Sequence, residues 1–363
     1  MSTTFQNIYQ DVLKRFGEDT SDTDLLSWVK SWINQRYKYV CGKKDWPFLT
    51  GPGVITTIAK YDTGTVDITE AGTTVTGTST VWTKAMTGRK FKADAFETIF
   101  RIAKYTSTTS IELESTYNDD DVDDGDYEVF QDEYLCPENW RDILSIRDYR
   151  TGKELDKLSR RRFLGLHPVN NPSTSSPTEY CFFETRDVTK INIDPVSTIL
   201  VSGELVTGGT STAYGKIVKS TKSFIYVEIF YGTFSDGETL TDETGNTATV
   251  DEPDGYTEGN VGGMLRLVIY PAPYQAEKLD CDVVFKVYDM KAAEDEPLIP
   301  EEYRDILIFG ACADLARNRG KLEESATFEA LFMERTNRMA AELMASHKIS
   351  PRIIPYGDRV SYA

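Results

Sequence analysis

Thr65-Val66-Asp67-Ile68-Thr69 and Thr73-Thr74-Val75-Thr76-Gly77 decide how the middle of this chain folds. Polar and apolar side chains alternate along both, and β-branched residues dominate. A period of two with that composition predicts half-buried strands. The pattern returns at Phe100-Arg101-Ile102-Ala103 and Ser110-Ile111-Glu112-Leu113, with Gly, Asn and Asp as punctuation. Residues 51–135 are therefore expected to form a small antiparallel barrel or sandwich.

Downstream, residues 136–196 read as a connecting region. They hold a brief helix at 154–164, a loop from Asn170 to Pro177, and strands at 179–184 and 189–194. Residues 197–263 read as an insertion with a weak internal repeat. Gly203-Glu204-Leu205-Val206-Thr207 recurs 34 residues later as Gly237-Glu238-Thr239-Leu240-Thr241. Two matching hairpin units suggest a compact β-module. Strand-like segments flank it at Ile193 and at Leu265-Arg266-Leu267, so it is expected to be a peripheral lobe whose ends lie close together. Strands resume across 264–299, at Leu265 to Pro271 and Val283 to Tyr288.

Outward from this β-rich middle, both ends read as helices. Phe5, Ile8, Val12, Leu13 and Phe16 form one stripe over residues 4–16. A second helix follows the N-cap candidates Asp22 and Asp24, with Leu25, Val29, Trp32/Ile33, Arg36 and Val40 inward, and stops before Pro47. Proline and acids near residue 300 open a third helix. Its body, Ile306 to Ala316, is apolar nearly all round, as in a buried helix. After Gly320 a last helix runs from about 321 to 345. It carries two apolar stripes: Leu322, Ala326, Met333 and Leu343 on one, Phe328, Leu331 and Met339 on the other. A terminal helix that needs two apolar neighbours hints at subunit contacts, and an intramolecular bundle explains it nearly as well. The fold class expected from the residues is α+β.

Charge separates the same regions. The chain has 363 residues and a formal net charge of −18. Residues 1–50 sum to +1 and 300–363 to −1, so the whole −18 belongs to residues 51–299. Residues 119–133 and 223–265 each carry nine acids and no base. Binding to nucleic acid through its phosphates needs Lys and Arg, so sequence-independent DNA gripping is disfavoured. No apolar run approaches a membrane span and no secretory signal opens the chain. With 40% hydrophobic and 27% charged residues, the composition is that of a soluble globular protein.

Residues that carry chemistry are sparse. No G-x-x-x-x-G-K-[ST], G-x-G-x-x-G or G-x-S-x-G is present. His167 and His347 stand outside any catalytic pattern, so no catalytic residue, cofactor or metal is expected. Cys41, Cys136, Cys181, Cys281 and Cys312 contain no C-x-x-C and are expected to be reduced and buried. The acidic run around Gly125 fails the EF-hand pattern, because Val122 and Gln131 fall at oxygen-ligand positions. Asp280 and Asp282 share a strand face, and Arg160-Arg161-Arg162 reads as a solvated helix face.

Several blocks resemble the head-to-tail adaptor (head completion or neck connector) proteins of tailed bacteriophages. They are Trp32-Ile33-Asn34-Gln35-Arg36-Tyr37 and Asp45-Trp46-Pro47-Phe48-Leu49, Gly64-Thr65-Val66, Val75 to Thr78, Val81-Trp82 and Met86 to Phe91. Tyr270 to Pro273 and Pro297 to Tyr303 with the Ala-rich helix after them complete the set. The resemblance implies a non-enzymatic structural protein with Trp32, Asn34, Tyr37, Trp46, Pro47, Pro300 and Tyr303 as framework residues. Residues 1–50 and 300–345 would supply a helical bundle core with antiparallel β-modules inserted into it. It further implies a dodecameric ring under the portal protein, extending the DNA channel and offering a platform for a tail or neck protein. Such a protein assembles in the host cytoplasm, resides at the head–tail interface of the virion, and lets DNA pass without specific binding.

Residues 346–363 are expected to be an extended arm on the portal or a neighbouring subunit. Pro351 and Pro355 exclude a regular helix there. Ile349, Ile353, Ile354, Tyr356, Val360 and Tyr362 give the arm apolar groups, and Arg352 and Arg359 give it positive charge. The alternative readings are a receptor- or carbohydrate-binding virion protein, suggested by the β-modules and 42 aromatic residues, and a polysaccharide-degrading enzyme using paired carboxylates.

Overall fold

A computed structural model describes residues 3–93, 96–167, 174–185, 188–251, 256–260 and 264–346. The chain divides into two compact units, Met1–Gly51 with Val284–Ala363, and Pro52–Val283. Five α-helices lie among the described residues: α1 (Phe5–Arg15), α2 (Thr23–Gly42), α3 (Arg160–Leu166), α4 (Asp305–Asn318) and α5 (Leu322–Ser346). All but α3 belong to the first unit.

In that unit the helix ends follow local chemistry. The Asp22 carboxylate accepts from the Asp24 and Leu25 N–H groups at 3.1 and 3.0 Å and starts α2. Gly320, at φ +73°, closes α4, and the Lys321 N–H reaches back to the Ala316 carbonyl at 2.9 Å. Phe5, Ile8, Val12 and Leu13 from α1, Leu25, Val29, Ile33 and Val40 from α2, and Phe332 and Met339 from α5 bury their side chains around α4 in one core. Arg36 of α2 ties three helices together. Its guanidinium donates to Asp314 of α4 at 2.8 and 2.7 Å and to Glu329 of α5 at 2.9 and 2.8 Å, and it lies over the Phe332 ring. Gly310 makes room for this arrangement, since a Cβ there would stand 2.9 Å from Arg36 Cγ.

The second unit is built from β-structure. The chain runs in along Thr50–Thr56 and out along Lys278–Phe285, which are neighbours in a three-stranded sheet with Trp140–Asp148. One seven-stranded sheet has the order 122–125, 65–68, 74–78, 110–113, 100–107, 90–93, 127–130. Paired hydrogen bonds between Tyr61 and Val129, 2.8 Å each, bring the segment leading into its second strand back to its last. Trp82, Phe91 and Tyr127 fill its core.

The other seven-stranded sheet runs 247–249, 239–242, 205–208, 214–220, 224–231, 188–192, 256–260. A bridge between Ile193 and Val250 joins its first and sixth strands, so six strands close on themselves. Its core holds Leu200, Val206, Ile217, Val227, Phe234 and Leu240. The 34-residue repeat is visible in its hydrogen bonds. Gly203 N–H donates to the Ile217 carbonyl and Ile217 N–H to Glu204, and the Gly237–Val250–Glu238 set repeats both bonds. A fourth sheet has the order 156–157, 179–185, 264–270, 133–135.

The expected fold class is overturned. The architecture is mostly antiparallel β, in four sheets, and is not a helical bundle core with β-modules inserted into it. The physical reason is burial: the two seven-stranded sheets each enclose an apolar core of their own, so they do not depend on a helical core to cover them. Two smaller differences follow from local structure. Residues 156–157 pair as a strand with 179–180, so the helix expected at 154–164 begins only after its N-cap, Ser159. Strand Val188–Asn192 pairs with Phe224–Glu228, which attaches it to the lobe expected to begin at 197.

Candidate functional site

The framework residues of the helical unit all hold elements together. Asn34 exchanges two hydrogen bonds of 3.0 Å with the backbone of Met290. The Tyr37 hydroxyl accepts from the Leu298 N–H at 2.8 Å, and burial pushes that phenol up to about 12. The Trp46 indole N–H donates to the Val40 carbonyl at 2.7 Å, which turns the chain sharply after α2. Pro47 begins a single 3₁₀ turn, Pro300 precedes another, and the Tyr303 hydroxyl donates to Glu342. Trp32 packs half-buried against the core. The arm residues Ile349, Arg352, Ile353, Ile354, Tyr356, Arg359, Val360 and Tyr362 lie outside the described residues, as does His347.

Two surfaces of this unit carry apolar groups into solvent. On α5, Leu322, Ala326, Ala330 and Met333 are exposed at helical spacing, Leu322 by 70%. Phe332, Thr336 and Met339 occupy the buried side. Leu322, Ala326 and Met333 of the first expected stripe are thus uncovered, while its fourth member, Leu343, packs half-buried against the core. On α2, Trp28 and Tyr39 are each about half exposed.

The β unit contains a cavity of about 630 Å³ that sequence reading missed. Its walls come from Val54 of the strand Thr50–Thr56 and Ile58 just after it, the turn Thr87–Lys90, residues 131–135, and the lobe residues Lys216, Glu228 and Phe230. Two groups on its wall are neutralised internally. Arg266 donates to Glu133 at 2.9 Å and to Glu228 at 2.7 Å. Lys90 reaches Asp132 at 2.5 Å, although burial still holds that carboxyl above its ordinary value. Arg89 differs. No hydrogen bond or ion pair from a described residue reaches its side chain, its Nε is buried, and burial pushes the guanidinium down from its ordinary value. Beside the cavity the Tyr214 hydroxyl, from the lobe, hydrogen-bonds Thr87 Oγ1 at 2.9 Å and accepts from the Tyr105 N–H at 3.0 Å.

The other singled-out groups have structural surroundings. His167 pairs with Glu179 and stacks on Tyr270 at 3.6 Å between centroids. Asp280 and Asp282 point to the exposed face of their strand, and Arg160, Arg161 and Arg162 are exposed. In the acidic run, Asp121 accepts from the Glu70 N–H at 2.6 Å and Asp119 from Thr98 at 3.0 Å. No group of three or more His, Cys, Asp or Glu placed to hold a metal occurs among the described residues. All five cysteines are buried, and none is in a disulfide. No helix among the described residues is long and apolar enough to cross a membrane.

Neither protein-family models nor curated proteins match the chain.

Proposed function

We propose that this chain is a structural head-to-tail adaptor of a tailed bacteriophage. In this reading it forms a dodecameric ring under the portal protein, extends the DNA channel, and presents a distal platform for a tail or neck protein. The observation that carries the reading is the exposed apolar stripe Leu322–Ala326–Ala330–Met333 on α5. A surface helix with one apolar face in the core and a second in water loses free energy until another chain covers it. A head-to-tail contact through such a face generates a ring when the rotation closes.

Two further points support it. Among the residues of the resemblance, Asn34, Tyr37 and Trp46 are engaged in hydrogen bonds that hold the helical unit together, as a scaffold requires. The charge of −18 lies in residues 51–299, and an acidic wall repels passing DNA instead of retaining it. The test is a double substitution, Leu322→Glu with Met333→Glu. Wild type should assemble and the variant should remain a folded monomer. A wild type that stays monomeric alone and with portal protein refutes the reading.

A further inference from the structure

We propose that the cavity of the β unit binds a monoanionic carboxylate carried on an apolar body, with Arg89 as its principal ligand. A guanidinium taken out of water without a counter-charge is costly, and proteins ordinarily pair or hydrogen-bond such groups. The neighbouring cations show the ordinary outcome: Arg266 is held by two carboxylates and Lys90 by one. Arg89 has neither, although its Nε is buried and it lines the same space. A carboxylate accepting from its planar fork would supply the missing partner.

Shape and charge narrow the ligand. The volume of about 630 Å³ falls within the range of small-molecule sites. Val54, Ile58 and Phe230 give the cavity apolar wall, suited to an aromatic or branched aliphatic body. Its lining carries five basic against four acidic side chains, a balance of one positive charge. That balance favours a monoanion over a dianionic phosphate. Because the walls come from both the 87–101 region and the lobe, an occupied site would also brace the lobe against the rest of the unit.

The experiment follows 4-fluorobenzoate by ¹⁹F NMR against the full-length protein at matched ionic strength. Inorganic phosphate serves as competitor and benzylamine as the cationic control. Saturable binding at millimolar or tighter Kd is expected, with at least a tenfold loss in Arg89→Gln, about the worth of a charge-assisted hydrogen bond. Absence of saturable binding to wild type overturns the proposal, as does equal affinity in a folded Arg89→Gln variant. Phosphate displacing fluorobenzoate at lower concentration than benzoate itself would overturn the monoanion assignment. A crystal soaked with 4-bromobenzoate locates the site without any substitution: bromine density beside Arg89 supports it, and density only elsewhere refutes it.

Discussion

Thr185 and Met264 are cross-strand partners, although 78 residues lie between them in the chain. They end one antiparallel pair, Glu179–Thr185 with Met264–Tyr270. Everything between them, including both halves of the repeat, leaves and re-enters at that hydrogen-bonded point. The lobe is thus an elaborated hairpin connection. Within it, Thr207 and Thr241, equivalent positions of the repeat, face each other directly. The two hairpins are accordingly related by a local pseudo-twofold axis through that pair.

Replacing residues 186–263 with Asn-Gly should therefore leave a cooperative fold. A two-residue type I′ turn suits two strands ending in register. The deletion loses the Tyr214 bonds to Thr87 and Tyr105 and the Arg266–Glu228 pair, so its melting temperature should fall. Circular dichroism and a thermal melt check this. Loss of the cooperative transition would show that the lobe is required by the remaining sheets.

The boundary of that lobe illustrates what was legible. Helical stripes of large apolar residues placed α1, α2 and α5 within about two residues, because each turn repeats the same signal. The helix expected to open near Pro300 instead makes a 3₁₀ turn at Glu301–Tyr303 first, and α4 begins only at Asp305. Strands of four or five residues carry much less pattern, and their pairing depends on partners far away. Val188–Asn192 reads in the sequence as a separate strand of the connecting region 136–196, and only its register with Phe224–Glu228 assigns it to the lobe. Arg89 lies within Met86 to Phe91 and carries no functional signal in the sequence. The cavity it lines is formed by segments at 54–58, 131–135 and 216–230, which are far apart in the chain. On α5, by contrast, the presence of two apolar stripes was readable, although which of their residues stay uncovered was not.

Glu238 should make the lobe acid-sensitive. Burial alone would raise its pKa. The Ser211 and Ser235 N–H groups, the Ser211 hydroxyl and the Thr210 N–H outweigh that and hold it below its ordinary value. A depressed folded pKa contributes stability above the unfolded value, near 4.3, that is lost as pH falls through the folded pKa. Glu238→Gln should cost about 1–3 kcal/mol at pH 7, and the difference from wild type should shrink toward pH 3. Urea melts at the two pH values measure it. A difference that stays constant or grows on acidification contradicts this.

Arg36→Ala should destabilise the helical unit by about 2–3 kcal/mol, because Asp314 and Glu329 lose their forked partner and keep only the exposed Arg317, at 3.5 and 4.0 Å. Arg36→Met combined with Asp314→Asn and Glu329→Gln should recover much of that loss, since the penalty lies in the uncompensated charge. Denaturant melts followed by helical circular dichroism decide it. Equal losses in the single and triple variants would assign the effect to packing on Phe332.

The five cysteines should be silent to a thiol reagent at pH 8 in the native protein and react together on unfolding. All are buried. Burial is the first cause that pushes Cys136, Cys181, Cys281 and Cys312 up to about 12, and thiol reactivity follows the thiolate. Rapid labelling of any one of them in the folded state contradicts the buried placement.

The adaptor reading is tested most directly by the mass of the purified chain mixed with its portal protein, measured by native mass spectrometry or mass photometry. The expected result is one complex whose mass exceeds that of the portal ring by twelve protomers. With Leu322→Glu and Met333→Glu together, only free portal and monomer should remain. A wild-type chain that stays monomeric beside an intact portal ring would contradict the proposed function.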